Sequence, residues 1–371
     1  MTPDRFEAPV PSMPSVPPAP VAPAVPPRPR PAGRRRKLAW FGVVLVVSGV
    51  PAGWYFGGGY DRWQDGRALR GLCAGAVDTA EVRELFHGAG RLSGYDSDQA
   101  SGLAGCTVTA PGRYATLGID IGWEPRAAHD ALWALGRNRA VKRENVPVVP
   151  VGAGWVGVLS VASDDRADLV LALPCTAPDL PGQLIVSLRA RPSMDPHGPT
   201  DDFAPAEQRA RLGRIAGRIA SRANGIWRCG APLGGRIERV SGRADVKVVP
   251  QGGADGTCAE IPGPVRETPV DRTVPMEDCT VLTPDGKGTG FRMSAYYPPY
   301  AQDAEANAGL EETTGPGRGA DLGWTTASCP GGEALFLGYR VAGTTVAGDD
   351  AFKAFARRSA ERHGCSEPAL S

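Results

Sequence analysis

The apolar pattern divides the chain into three regimes. Residues 1–37 show no apolar period, residues 38–56 run without a charge, and beyond residue 73 short alternating runs mix with helical stripes. Alternation in ATLGIDIGW (115–123), QLIVSLRA (183–190), GFRMSAYY (290–297) and EALFLGYRV (333–341) predicts strands with one buried face. Further strands are expected near 147–151, 155–162 and 168–174. Leu212, Ile215, Ala216, Ile219 and Ala223 follow the i, i+3, i+4, i+7 rule, with Asn224-Gly225 as a stop. Asp78-Thr79-Ala80-Glu81 reads as a capping box opening a helix that runs to about Phe86. Residues 126–137 predict another helix, and Asp349 or Asp350 caps a last one with Phe352, Phe355 and Ala356 inward. The fold class expected is α+β.

The charge-free segment 38–56, LAWFGVVLVVSGVPAGWYF, reaches about 28 Å as a helix, close to the roughly 30 Å hydrocarbon layer. Trp40 near one end, and Trp54 with Tyr55 at the other, suit the interfacial aromatic belts. Arg28, Arg30, Arg34, Arg35, Arg36 and Lys37 precede it, whereas Arg62, Arg67 and Arg70 follow. That asymmetry keeps the N-terminus cytoplasmic and places the C-terminal bulk outside the plasma membrane. The rival reading is a cleaved signal peptide, with Val50-Pro51-Ala52 as the small-residue site. A 37-residue lead is long for that purpose. Both readings export the remainder.

Twelve prolines occupy residues 1–37, seven of them at an unbroken spacing of three from Pro11 to Pro29. Such a segment cannot bury a core, and polyproline II would align the rings along one edge. It is expected to be a disordered basic tail. Pro23-Ala24-Val25-Pro26-Pro27-Arg28 fits PxxP recognition by a cytoplasmic partner, and a solvated spacer is the plainer reading.

Eight cysteines form two quartets: Cys73, Cys106, Cys175, Cys229, then Cys258, Cys279, Cys329, Cys365. Their gaps run short, long, intermediate in both. Cys106 opens CTVTAP and Cys279 opens CTVLTP. This reads as a divergent duplication giving two tandem disulfide-pinned α+β ectodomains, 73–229 and 258–371. Residues 57–72 would be a juxtamembrane linker. Residues 230–257 would be a second linker, with RADVKVVP able to add a strand. Self-contained quartets leave three pairings each. The favoured set is Cys73–Cys106, Cys175–Cys229, Cys258–Cys279 and Cys329–Cys365. No CxxC spacing points to zinc.

Composition adds exclusions. With 42% hydrophobic and 22% charged residues the chain is ordinary for a folded protein, and a net charge of +1 argues against a nucleic-acid partner. Gly152-Ala153-Gly154-Trp155-Val156-Gly157 spells a dinucleotide fingerprint, but Val158-Leu159-Ser160-Val161 reads as strand where that motif needs a helix. A Gly-rich hairpin is the expectation, and no cofactor is implied. His87, His129, His197 and His363 lack metal spacing, and His363 falls at a helix end. Asp164-Asp165 and Asp201-Asp202 read as turn residues. No catalytic or metal-ligating set stands out. Two ligand surfaces are candidates. Arg211, Arg214, Arg218 and Arg222 share a helix face that could grip phosphates, and Tyr296, Tyr297 and Tyr300 could stack on sugars. A solvated arginine face and simple aromatic packing are the plainer alternatives.

The Pro-rich tail, basic collar, single span and LCAGAV…EVRELF…GCTV resemble the uncharacterised single-pass membrane proteins of Streptomyces and related actinobacteria. The Cys-helix-strand-Cys opening is similar to actinobacterial exported lipoproteins and to sensor domains of mycobacterial Ser/Thr kinases. A lipid-bearing Cys and a kinase domain are both missing here. The resemblance supplies no catalytic residues. It implies a type II membrane protein whose ectodomains bind an envelope polymer or protein. An envelope hydrolase with a carboxylate site, and a scaffold of a membrane complex, are the alternatives. Tandem domains of this kind commonly leave a cleft where they meet.

Overall fold

The computed structural model describes residues 59–370 except 87–90, 98–101, 112–114, 138–145, 162–165, 181, 192–202, 204, 243–244, 311–314, 342–343 and 345–347. The Pro-rich segment 1–37, the apolar segment 38–56, His87, His197 and the aspartate pairs at 164–165 and 201–202 lie outside the described residues. Among the described residues no helix is long and apolar enough to cross a membrane.

The first lobe opens with helix α1 (Gly59–Ala68), a 3₁₀ turn (Leu72–Gly75) and α2 (Thr79–Leu85). Then come β1 (Ser93–Asp96), β2 (Ala104–Ala110), β3 (Ala115–Trp123), α3 (Arg126–Ala134), β4 (Val148–Pro150), β5 (Gly157–Val161), β6 (Ala167–Leu173), β7 (Leu184–Arg191) and α4 (Ala206–Ile226). The second lobe comprises β8 (Lys247–Val249), β9 (Val265–Glu267), β10 (Met276–Leu282), β11 (Thr289–Tyr296), α5 (Ala301–Ala308), β12 (Gly317–Arg318), β13 (Leu322–Cys329), β14 (Gly332–Arg340) and α6 (Asp349–Arg362). Each lobe builds one seven-stranded sheet, ordered β1-β2-β3-β7-β6-β5-β4 and β12-β13-β14-β11-β10-β9-β8. All strand pairs are antiparallel. The fold is α+β, as the alternating runs require.

The central strands follow one path in both lobes. The order β2-β3-β7-β6 is matched by β10-β11-β14-β13, with a helix after β3 and after β11, and another after β7 and after β14. Registers match too: Cys106 lies between Asp96 and Ile119, and Cys279 between Glu267 and Met293. In each lobe that flanking carboxylate accepts an amide of the lead-in segment, Cys73 N to Asp96 at 2.8 Å and Gly256 N to Glu267 at 2.7 Å.

Side-chain alternation sets the layers. Leu117, Ile119 and Ile121 on β3 and Leu184, Val186 and Leu188 on β7 face α4, whose Leu212, Ile215, Ala216, Ile219 and Ala223 are fully buried. Asp78 Oδ1 caps α2 by accepting from Ala80 N at 3.0 Å and Glu81 N at 3.4 Å. Glu81 turns to the α4 arginines as the ion-pair partner of Arg214 and Arg218. Helix α4 runs past Asn224-Gly225 to Ile226, because the Asn224 amide bonds both the N and O of Ala231 and ties the chain down one turn later. At α6 the N-cap is Gly348, with no side-chain cap, while Phe352, Phe355 and Ala356 are buried as expected. Residues 230–257 touch both lobes at separate points. Ala231, Ile237 and Val240 join the first core, and β8 extends the second sheet.

Four disulfides form, with the favoured pairing: Cys73–Cys106, Cys175–Cys229, Cys258–Cys279 and Cys329–Cys365, at Cα separations of 5.3, 4.7, 5.2 and 4.0 Å. None links the two lobes. Cys175–Cys229 joins the end of β6 to the chain leaving α4. Replacing both by Ala should lower unfolding stability by about 2–4 kcal/mol, since a 54-residue loop regains its freedom only in the unfolded chain. Urea melts without reductant would show it.

Where the lobes meet, the described residues build a shared core. Ala128, Ala131, Leu132, Val148, Val158, Val170 and Ile185 of the first lobe pack with Met276, Tyr296, Tyr300, Ala304, Leu335 and Leu337 of the second. At its rim Arg137 reaches across to Asp278, with Nη1 2.8 Å from Oδ1 and Nη2 paired to Oδ2. Arg137 also donates to Ser294 Oγ at 3.3 Å and Val146 O at 3.2 Å, and Asp278 accepts Val148 N at 3.0 Å. Burial opposes the Arg137 charge, but Asp278 outweighs it and raises its pKa further. Among the described residues, the partners of this ion pair come from both lobes.

Candidate ligand-binding site

One face of the first sheet is only half covered. Even-numbered positions on β3 and β6 and odd-numbered ones on β7 point away from α4. Toward β4 this face is apolar (Val148, Val158, Val170, Ile185) and closed by the junction. Along β7 toward Arg191 it turns polar, with Asp120 of β3 opposite Ser187 and Asp168 of β6 opposite Arg189. Helix α3 lies along the boundary. Its Ala128, Ala131 and Leu132 are buried, and Arg126, Asp130 and Trp133, at i, i+4 and i+7, line the opposite side. A Cβ on Gly122 would stand 3.1 Å from Ala127 Cβ, so the glycine lets α3 approach the sheet.

The result is a concavity of about 210 Å³, lined by Asp120, Arg126, Asp130, Trp133, Ser187 and Arg189 beside Gly122. Trp133 is 53% exposed. Asp168, beneath, receives Arg166 Nε at 3.1 Å and Arg189 Nε at 3.3 Å, which fixes Arg189 from below. Burial raises the Asp168 carboxyl above its ordinary value, and the two arginines oppose that shift. Burial likewise pushes Asp120 up, with Arg189 opposing and Asp130 adding to it. Two carboxylates and two guanidinium groups leave the wall neutral overall, with donors and acceptors beside an indole.

Both surfaces expected from the sequence are engaged in internal contacts, although the Arg218 and Arg222 side chains stay 57% and 44% exposed. Arg211 pairs with Glu207 at 3.2 Å and bonds Glu84 O at 2.8 Å, and Arg214 meets Glu207 at 3.0 Å. Arg218 meets Glu81 at 3.1 Å, and Arg222 meets Asp78 at 3.0 Å and bonds Val77 O. These four arginines bind α4 to α2, because the acidic first turn of α2 lies beside them. Tyr296, Tyr297 and Tyr300 are 5%, 5% and 0% exposed, so no ring is open to stacking. The glycines of 152–157 form the β4–β5 hairpin, with Gly152, Ala153 and Gly154 all at positive φ.

His363 caps α6 and enters a buried polar cluster. Glu277 on β10 accepts from Arg362 Nη2 at 2.5 Å and Ser359 Oγ at 2.6 Å, and lies 3.2 Å from His363 Nε2. The His363 ring stacks on Tyr297 at 3.8 Å, and the Tyr297 hydroxyl is 2.7 Å from Ser359 Oγ. Burial pushes Glu277 up, but His363 and Arg362 outweigh it and hold its carboxyl below the ordinary range. Serine, histidine and carboxylate are gathered here in the wrong order for nucleophile activation. The carboxylate sits between the other two, whereas a relay needs the imidazole in the middle. Ser359 is also fully buried. The cluster fastens α6 to its sheet.

His129 is half-exposed, with Nδ1 3.8 Å from Asp303 Oδ1. Among the described residues no group of three His, Cys, Asp or Glu is placed to hold a metal ion. A second hollow of about 110 Å³ lies at the β12 edge, where Arg318 is paired with Asp349 and Trp324 Nε1 donates to Gly315 O. Asp321, Arg340 and Lys353 also line it.

No family model matches the sequence, and no curated protein does. The crystal structure of DynU16, described as a putative protein in the dynemicin biosynthetic locus, aligns over 77% of this chain and 87% of its own at 13% identity. Its TM-score is 0.13, so the likeness carries no argument about fold or function.

Proposed function

We propose that the chain is a membrane-anchored extracytoplasmic binding module, held by residues 38–56, whose ligand is a neutral hydroxyl-rich ring such as a sugar unit of an envelope polymer. The observation carrying this is the Trp133 concavity. An exposed indole offers an apolar platform, while Asp120, Ser187 and Arg189 present acceptors and donors with no net charge. An anion would face Asp120 and Asp130, and a cation would face Arg126 and Arg189. Four intramolecular disulfides suit an oxidising compartment, which supports export. The common strand path and the paired carboxylate contacts support a divergent duplication, in which the first lobe kept an open sheet face.

Titration of the purified chain with galactose, N-acetylglucosamine and arabinose, and with sulfate and choline as charged controls, tests the reading. A saturable change in tryptophan emission with a sugar is expected, abolished in Trp133→Ala and weakened about tenfold in Asp120→Asn, the equivalent of about 1.4 kcal/mol. Response to a charged control alone, or a sugar response that survives Trp133→Ala, would overturn it.

One observation favours a hydrolase instead: Asp120, its carboxyl raised by burial, shares the concavity with Asp130. In that case the wild-type chain would cleave a glycoside, and Asp120→Asn would bind the sugar without cleaving it.

A further inference from the structure

Helix α1 has two unlike faces. On the inner one Asp65 is fully buried, pairs with Arg83 and accepts Leu92 N at 2.9 Å, and Leu69 just beyond is buried as well. These contacts fix how the helix is turned against the first lobe. Tyr60, Trp63 and Arg67, at i, i+3 and i+7, share the outer face. Trp63 is 51% and Tyr60 37% exposed. Their rings stack at 6.1 Å, and the Arg67 guanidinium lies 5.5 Å from the Trp63 ring. Arg62 and Arg70 are exposed as well, so residues 59–70 expose three cations and, with Asp65 buried, one carboxylate, Asp61.

An exposed aromatic stack with a basic rim suits the headgroup layer of a bilayer. Tyr and Trp favour the boundary between hydrocarbon and water, and arginines favour anionic phosphates. The chain order agrees. Only Gly57 and Gly58 separate Phe56, at the end of the apolar segment, from α1. Three extended residue steps span at most about 10 Å, roughly the depth of the interfacial zone.

We infer that the Tyr60–Trp63–Arg67 face of α1 seats the first lobe on the outer leaflet, with anionic phospholipid as its partner. This rests on residues 38–56 spanning the bilayer. Through Asp65 the seat would fix the orientation of the first lobe, since α1 cannot roll without breaking the Arg83 and Leu92 contacts.

The full chain in bilayer discs of phosphatidylcholine, with or without phosphatidylglycerol, tests this. Trp40 and Trp54 also lie near lipid in the proposed topology, so the readout is the difference between wild type and Trp63→Phe. Bromolipid labelled high in the acyl chain should quench the Trp63 contribution, and aqueous iodide should not. That quenching should fall about twofold without phosphatidylglycerol or in the Arg62→Gln, Arg67→Gln, Arg70→Gln variant, because three phosphate contacts are lost. Iodide quenching without bromolipid quenching refutes the seat alone, provided the chain resists alkaline extraction. Shielding from both quenchers points to a protein on this face and refutes it equally. Release of the chain by alkaline wash refutes the span, and the seat with it.

Discussion

Arg137→Ala should destabilise the protein by about 3–5 kcal/mol, because it leaves the Asp278 carboxylate buried with its counter-charge removed. Ser294 Oγ at 2.8 Å and Val148 N at 3.0 Å would still bond Asp278, but neither neutralises it. The desolvation cost of a lone carboxylate exceeds what two neutral donors return. Arg137→Met combined with Asp278→Leu should recover much of the loss, since replacing both charges with apolar volume removes the penalty on each side. Urea unfolding of wild type, Arg137→Met, Asp278→Leu and the double variant, with Arg137→Ala alongside, measures this in a double-mutant cycle. A single-variant loss below about 1 kcal/mol would mean that the pair is solvated in solution and does not fasten the junction.

The second large effect concerns Glu277. Glu277→Gln should cost about 2–4 kcal/mol at neutral pH, because Arg362 and His363 lose the anion that both of them face. It should also flatten the acid side of the stability profile. In the folded protein the Glu277 carboxyl titrates below the ordinary value of about 4.3, so its contribution is complete above that pH. As pH falls, the unfolded chain takes up the proton first, and the contribution is lost through the lower, folded-state value. Stability should therefore decline more steeply on acidification in wild type than in the variant. Thermal melts between pH 3 and 7 would give the comparison, and parallel profiles would show that Glu277 does not keep its charge in the fold.

Much of the architecture was legible because it follows local rules. Alternation in ATLGIDIGW, the α4 stripe from Leu212 to Ala223 and the Asp78 cap each express backbone geometry alone. The cysteine pairing was accessible because the two quartets repeat their order, which limited the bridges before any contact was known. The candidate site was harder to read. Asp120 looked like a polar position of a half-buried strand, and Trp133 like one more residue of an amphipathic helix. Arg126, Asp130 and Trp133 do share one face of α3, a signal present in the sequence. Only the half-open sheet beside them gives that face meaning. The ion pairing of the arginine row on α4 was hidden for the converse reason: beside the local Glu207, its partners Asp78 and Glu81 on α2 are more than a hundred residues earlier. Tyr296 and Tyr300 fall in the junction core and Tyr297 in the second lobe's own core, and a sequence read lobe by lobe cannot show that the second lobe's aromatics cover the first lobe's sheet.

The shared core has a consequence for how such a chain could arise. A fragment ending near residue 240 would leave Val148, Val158, Val170 and Ile185 open to water, and such a patch invites self-association. If both halves descend from one ancestor, that ancestor needed a second copy of itself to hide this surface. The single-copy forebear is then best pictured as a symmetric pair, and fusion of its genes would have freed one half to keep the hollow while the other became its permanent cover.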